Sequence, residues 1–216
     1  MSKINYAIIS AAGIGSRLGK NMPKTLVNIT ETKKIIDYQI EFVGDIKNIR
    51  LVVGYQHEKV VEYIKEKDYD VEIIHNPGFR NNTTCYSMHL ATEDLDEPYV
   101  ALDGDLLINK NEFNNFVKAF NDEPLIGITP SKTEDGVYVN LNENEEILSF
   151  QRNPKTSHEW ANIACFCEPI VINKNGRWVY SHFEPFLPLK SFTIENCYEV
   201  DTPQDLKLAI KNLDKI

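Results

Sequence analysis

The run Ser10-Ala-Ala-Gly-Ile-Gly-Ser-Arg-Leu-Gly19, with Pro23-Lys24 close behind it, sets small residues and two cations where a phosphate could be gripped. Glycines let the backbone approach a ligand, and successive N–H groups can form an anion nest. Arg17 offers a bidentate fork to phosphate oxygens, and Lys24 a mobile point charge. Leu102-Asp103-Gly104-Asp105 brings in the opposite sign. Two carboxylates about 5 Å apart repel by roughly 3 kcal/mol at an effective dielectric of 20. A divalent cation would relieve that, and hard oxygen ligands suit magnesium.

A third acid stands near the C-terminus. Thr202, Pro203 and Asp205 read as a helix start, with a hydroxyl N-cap, proline at the first helical position and an acid at the third. That local chemistry accounts for Thr202 and Asp205 and leaves Asp201 spare, at the end of a strand. Asn76-Pro-Gly-Phe-Arg-Asn-Asn-Thr-Thr-Cys-Tyr-Ser-Met88 is dense in hydrogen-bonding groups. A turn at Pro77-Gly78 and a helix cap at Asn82 or Thr83 use only one or two of them.

Two commoner phosphate loops are excluded. A Walker loop closes on Gly-Lys-Ser/Thr, which is absent. The dinucleotide fingerprint needs a third glycine where Leu18 stands, with its helix starting at once. Gly19 and Pro23 prolong the loop instead.

The elements that must hold these residues follow from apolar periodicity. Ile4–Ser10, Ile49–Gly54, Val71–His75 and Tyr99–Leu102 read as buried strands. Helices fall at about Lys34–Val43, Glu58–Lys67 and Phe113–Phe120. This βαβ rhythm predicts an α/β fold of Rossmann-like type, a mixed, mostly parallel sheet flanked by helices. The loop and the acids then lie together at the strands' C-terminal edge. After Pro124 short strands dominate: Leu125–Thr129, Val137–Leu141, Ile147–Gln151, Asn162–Phe166 and Lys190–Val200, before a closing helix over Pro203–Leu213. We expect one domain over 1–216. Within it 1–123 would mainly bind the nucleotide, and 124–200 would form a small β-rich acceptor side.

A 216-residue chain suits one domain, and 42% hydrophobic residues are ordinary for a soluble protein. The net charge of −9 argues against nucleic acid or an anionic membrane surface as a partner. The four cysteines form no CxxC pair, which points to reduced thiols and a cytoplasmic location. None of the five histidines pairs with a serine or cysteine in a triad pattern.

The stretch Ala11–Leu26 resembles the signature of the sugar-phosphate and choline-phosphate nucleotidyltransferase superfamily, alanine-alanine-glycine-x-glycine-x-arginine before proline-lysine. Glu199–Leu206 is similar to that family's closing motif, and Asn76–Met88 to a segment of the cytidylyltransferases. The resemblance implies that the loop residues Ala11, Ala12, Gly13, Gly15 and Ser16 bind the nucleotide, and that Arg17 and Lys24 are the catalytic cations. It also implies Asn82, Thr83, Thr84 and Ser87 near base and ribose, Asp105 and Asp201 as Mg2+ ligands, and Asp103 beside the nucleotide. The activity it implies is transfer of a nucleoside monophosphate from an NTP, with CTP favoured, to a small phosphorylated acceptor, with release of pyrophosphate. A homodimer is left open.

For the acceptor, Tyr138, Phe150, Phe166, Trp178, Tyr180, Phe183 and Phe186 read as core by default. Glu159-Trp160 lies in a polar stretch; exposed there, it would grip an ammonium group by charge and cation–π contact. Arg152, Lys155 and Arg177 are the segment's main cations. The resemblance of Asn76–Met88 to the cytidylyltransferases implies phosphocholine, phosphoethanolamine or an aminoalkylphosphonate as the acceptor. The rivals are a sugar-1-phosphate nucleotidyltransferase using UTP, GTP or CTP, and a non-catalytic nucleotide-binding module. The pair Asp105 and Asp201 speaks against the module, since binding alone needs no two-point metal grip.

Overall fold

The computed structural model describes residues 3–167 and 178–216; Arg177 lies outside them. In chain order the strands are β1 (Tyr6–Ala11), β2 (Asn48–Val53), β3 (Glu72–His75), β4 (Tyr99–Asp103), β5 (Leu106–Ile108), β6 (Leu125–Pro130), β7 (Tyr138–Leu141), β8 (Ile147–Gln151), β9 (His158–Phe166), β10 (Lys190–Thr193) and β11 (Cys197–Glu199). The helices are α1 (Ile35–Val43), α2 (His57–Glu66), α3 (Thr84–Thr92), α4 (Lys110–Ala119) and α5 (Pro203–Lys211).

Both faces of the central strands are covered, which is why they read as unbroken apolar runs. On β1, Ala7 and Ile9 join one core cluster and Ile8 the other; on β2, Leu51 and Val53 oppose Val52. The main sheet runs β10-β6-β9-β4-β1-β2-β3. Strands β4, β1, β2 and β3 are parallel neighbours, while β9 lies antiparallel between β4 and β6. The β7–β8 hairpin hangs from β9 through β7, and β5 pairs with β11 in a separate ribbon. The chain is thus a single α/β domain with a mixed, mostly parallel sheet and flanking helices.

Two strand expectations need correction. Lys190–Val200 is not one strand: β10 joins β6 in the main sheet, and β11 crosses to β5. The strand expected from Asn162 begins at His158, so Glu159 and Trp160 lie within β9. Their relative exposures are 5% and 7%. The expectation of an exposed Glu159-Trp160 pair is therefore wrong, because a polar-looking sequence is threaded through the middle of a sheet. The α4 start also lies earlier than expected, where Asn109 Oδ1 accepts from the Asn111 and Glu112 N–H groups at 3.0 and 3.2 Å.

Candidate active site

The glycine loop and the first acidic turn meet because β1 and β4 pair side by side, with Ser10 opposite Asp103. Gly104 donates its N–H to the Ser10 carbonyl at 2.9 Å. A Cβ on Gly104 would fall 2.7 Å from Ala11 Cα, so only glycine lets the two strand ends close. The second acidic segment is drawn in by the β5–β11 ribbon. Val200 N–H donates to the Asp105 carbonyl at 3.0 Å, which fixes Asp201 beside Asp105. The helix start then holds as read: Thr202 Oγ1 accepts from Asp205 N–H at 3.2 Å, and the Asp205 carboxylate accepts in turn from Thr202 N–H at 2.8 Å.

At the centre, Lys24 Nζ donates to Asp105 Oδ2 at 2.7 Å and also to Asp201 Oδ1. Arg17 pairs with the other oxygen of Asp201, and its Nη1 donates to Asp135 Oδ2 at 2.6 Å. Gly15 makes room for the lysine: its backbone is left-handed (φ 63°), and a Cβ there would lie 2.4 Å from Lys24 Cγ. Burial alone would lower the Lys24 pKa, but Asp105 and Asp201 outweigh it and hold the ammonium firmly protonated.

Carboxylates outnumber cations. Asp105, Glu199 and Asp201 each bring an oxygen within 4.8 Å of the others. Burial, with Asp105 and Asp201 adding to it, lifts the Asp103 carboxyl to about 8. Burial and the neighbouring acids also push Glu199 well above the usual carboxylate range. Asp105 Oδ1 is buried with no hydrogen-bond partner. An all-oxygen set carrying excess negative charge and one orphaned oxygen fits a hard divalent cation such as Mg2+.

Two cavities share this cluster. The smaller, about 300 Å³, is walled by Ala11, Gly13, Gly15, Ser16, Arg17, Lys24 and the acids. The larger, about 400 Å³, opens on the other side toward Asn82, Thr83, Asp135, Glu159, Trp160 and Trp178. Arg17, Thr84, Asp103, Glu199 and Asp201 border both.

Two of the expected loop and turn residues stand off from these walls. Ala12 is buried below the loop with its carbonyl taken by Tyr55 N–H at 3.0 Å. Ser87 is buried on α3 and accepts from Asn76 Nδ2 at 3.0 Å. Glu159 and Trp160 border the larger cavity from the core. The Glu159 carboxylate accepts from Lys132 N–H at 3.2 Å and Thr133 Oγ1 at 2.8 Å, and the Trp160 ring packs edge-on against Phe183.

Several wall residues escaped the sequence reading. Glu199 stands two residues before Asp201, repeating the acid-x-acid spacing of Asp103 and Asp105, a signal that was there to use. Trp178 was counted as core but is 40% exposed at the larger cavity, stacked on Tyr180 at 6.3 Å. Asp135 sits in a loop, where no periodicity marks it.

The family model described as "Nucleotidyl transferase" matches residues 6–174. The choline-phosphate cytidylyltransferase of Streptococcus pneumoniae is 41% identical over 114 residues, 50% of this chain and 48% of that protein. Its namesake from Haemophilus influenzae is 33% identical over 147 residues, 66% of this chain and 60% of that protein. The chain thus spans about half the length of these curated relatives. A solved CTP:phosphocholine cytidylyltransferase from Streptococcus pneumoniae shares the fold, with a TM-score of 0.79 at 23% identity over 98% of this chain and 99% of that one.

Proposed function

This chain belongs to the nucleotidyl transferase family, and on that premise we propose that it is a magnesium-dependent cytidylyltransferase. It joins CMP from CTP to a small phosphorylated acceptor with an ammonium or amino head group, and releases pyrophosphate. The observation that carries this reading is the pair of cavities meeting at Arg17, Asp103, Glu199 and Asp201. A bimolecular transfer needs two binding volumes with the reacting phosphorus at their junction. The smaller cavity suits the triphosphate, and the larger, walled by both halves of the chain, suits the acceptor and the nucleoside.

An acceptor phosphate, with its second pKa near 6, is mostly dianionic at neutral pH. Its oxygen attacks the α-phosphorus in line; the new P–O bond forms as the bond to pyrophosphate breaks, and no protein base is needed. Lys24 and Arg17 exchange their carboxylate partners for phosphate oxygens and neutralise charge as it shifts to the leaving group. Magnesium, held by Asp105 and Asp201 with Glu199 in reach, would add charge neutralisation on the triphosphate when bound. Asn82, Thr83 and Thr84, on the near wall of the larger cavity, would meet the nucleoside where it reaches past the junction.

Support for CTP and a choline-type acceptor comes from the two curated relatives. It also comes from the larger cavity, where Trp178 and Tyr180 stand among Asp135, Glu159 and Asp205. Aromatic faces beside carboxylates attract an onium group. Pyrophosphate release over a grid of four NTPs and a dozen phosphorylated acceptors tests the reading. CTP with phosphocholine, phosphoethanolamine or 2-aminoethylphosphonate should head the grid; turnover confined to sugar 1-phosphates would reject the acceptor class.

A further inference from the structure

The larger cavity already contains a cation on its aromatic wall. Arg152, just past the end of β8, lays its guanidinium over the Trp178 ring, with Cζ 4.7 Å from the ring centroid. Its Nη1 donates to the Asp135 backbone carbonyl at 2.6 Å. Arg152 therefore spans the space between the loop that carries Asp135 and the wall that carries Trp178, and both border the cavity. Asp135 is also the residue whose carboxylate holds Arg17 from the glycine loop. One short loop thus tethers two arginines, one by its side chain and one by its backbone.

An aromatic face is a cation site of limited area. A guanidinium over the ring at this distance uses the ring's negative quadrupole, and a second cation cannot take the same face. Arg152 is exposed, so swinging it into water costs little desolvation. Resting on the proposed choline-type acceptor, we propose that Arg152 is a resident competitor for the head-group subsite. The incoming onium group displaces it from Trp178, and Arg152 thereby sets how strongly an acceptor's head group must bind to be accepted. A quaternary ammonium, weakly hydrated and broad, displaces the guanidinium readily. A primary ammonium gives up more hydration for the same face and does so less well. Each head group pays the same displacement cost, so Arg152 raises the affinity threshold for every acceptor that uses this face.

The test uses Trp fluorescence of the full chain, without nucleotide, titrated with choline chloride and with its neutral isostere 3,3-dimethylbutan-1-ol. Trp178→Phe identifies which part of the signal belongs to the exposed tryptophan. Arg152→Gln should tighten both probes, by about two- to fivefold, the worth of one exposed cation–π contact. Tightening of choline alone would show only a change in cavity charge and would overturn the proposal. Unchanged or weaker binding of both would overturn it too, by showing that Arg152 helps to hold the ligand. Arg152→Gln should also lower the KM of phosphocholine and of phosphoethanolamine by a common factor, and a KM lowered for only one of them would overturn the competitor role. If wild type and variant both fail to bind choline, yet the wild type turns over a sugar phosphate, the acceptor reading itself is wrong and this inference falls with it.

Discussion

Alanine in place of Gly15 should disarm Lys24 without removing any charged group. Gly15 and Gly19 share nearly the same left-handed backbone, φ 63° and 69°. A Cβ in that conformation costs roughly 1–2 kcal/mol at either position. For a chain of 216 residues, at about 2–4 °C per kcal/mol, both variants should melt about 2–8 °C below wild type. What differs is the space. At Gly19 the added methyl meets nothing within 4 Å. At Gly15 it falls 2.4 Å from Lys24 Cγ, 3.2 Å from Cε and 3.3 Å from Cδ, so the whole lysine stem must move. The ammonium then leaves Asp105 and Asp201. Losing one preorganised charge costs on the order of a hundredfold in turnover. Gly15→Ala should therefore approach Lys24→Ala in pyrophosphate release with CTP and phosphocholine, while Gly19→Ala stays within about threefold of wild type once corrected for folded fraction. Equal losses in the two glycine variants, or wild-type turnover in Gly15→Ala, would refute the claim that the lysine's placement governs the rate.

Asp105→Asn and Asp201→Asn should each cut turnover by orders of magnitude with an unchanged circular dichroism spectrum, since neither side chain packs in a core cluster; full activity in Asp201→Asn would remove it from the metal site. Glu199→Gln should raise the magnesium concentration needed for half-maximal rate, measured by titration after chelation. Trp178→Ala should raise the acceptor's KM about two- to thirtyfold and leave that of CTP in place, as expected for one cation–π contact. Trp160→Ala should act on stability instead: it empties a buried site against Phe183, worth about 3–5 kcal/mol, and lowers the melting temperature by roughly 6–20 °C.

Much of this site is legible in the sequence, for reasons tied to particular residues. The strand before the glycine loop was legible because β1 is buried on both faces and so reads as an unbroken apolar run. Asp201 was legible because the capping box of α5 uses Thr202 and Asp205 and leaves it unassigned. What stayed hidden depends on long-range pairing. The run Leu106–Ile108 is too short to announce a strand, yet its pairing with Cys197–Glu199 brings Glu199 and Asp201 to the site. The same pairing splits what looked like one strand from Lys190 to Val200. Glu159 looked like a surface acid because its partners, Lys132 N–H and Thr133, lie 26 or 27 residues upstream. Trp178 looked like core because aromatics usually are, and only the cavity geometry shows that it borders open space.

The most direct measurement is a phosphorus NMR time course of the chain with CTP, phosphocholine and magnesium. The proposal predicts loss of the CTP and phosphocholine signals together, with equal growth of pyrophosphate and of a diphosphate diester, and no turnover once Mg2+ is chelated. CTP and phosphocholine both left intact with Mg2+ present, or hydrolysis of CTP to CDP and phosphate, would contradict it.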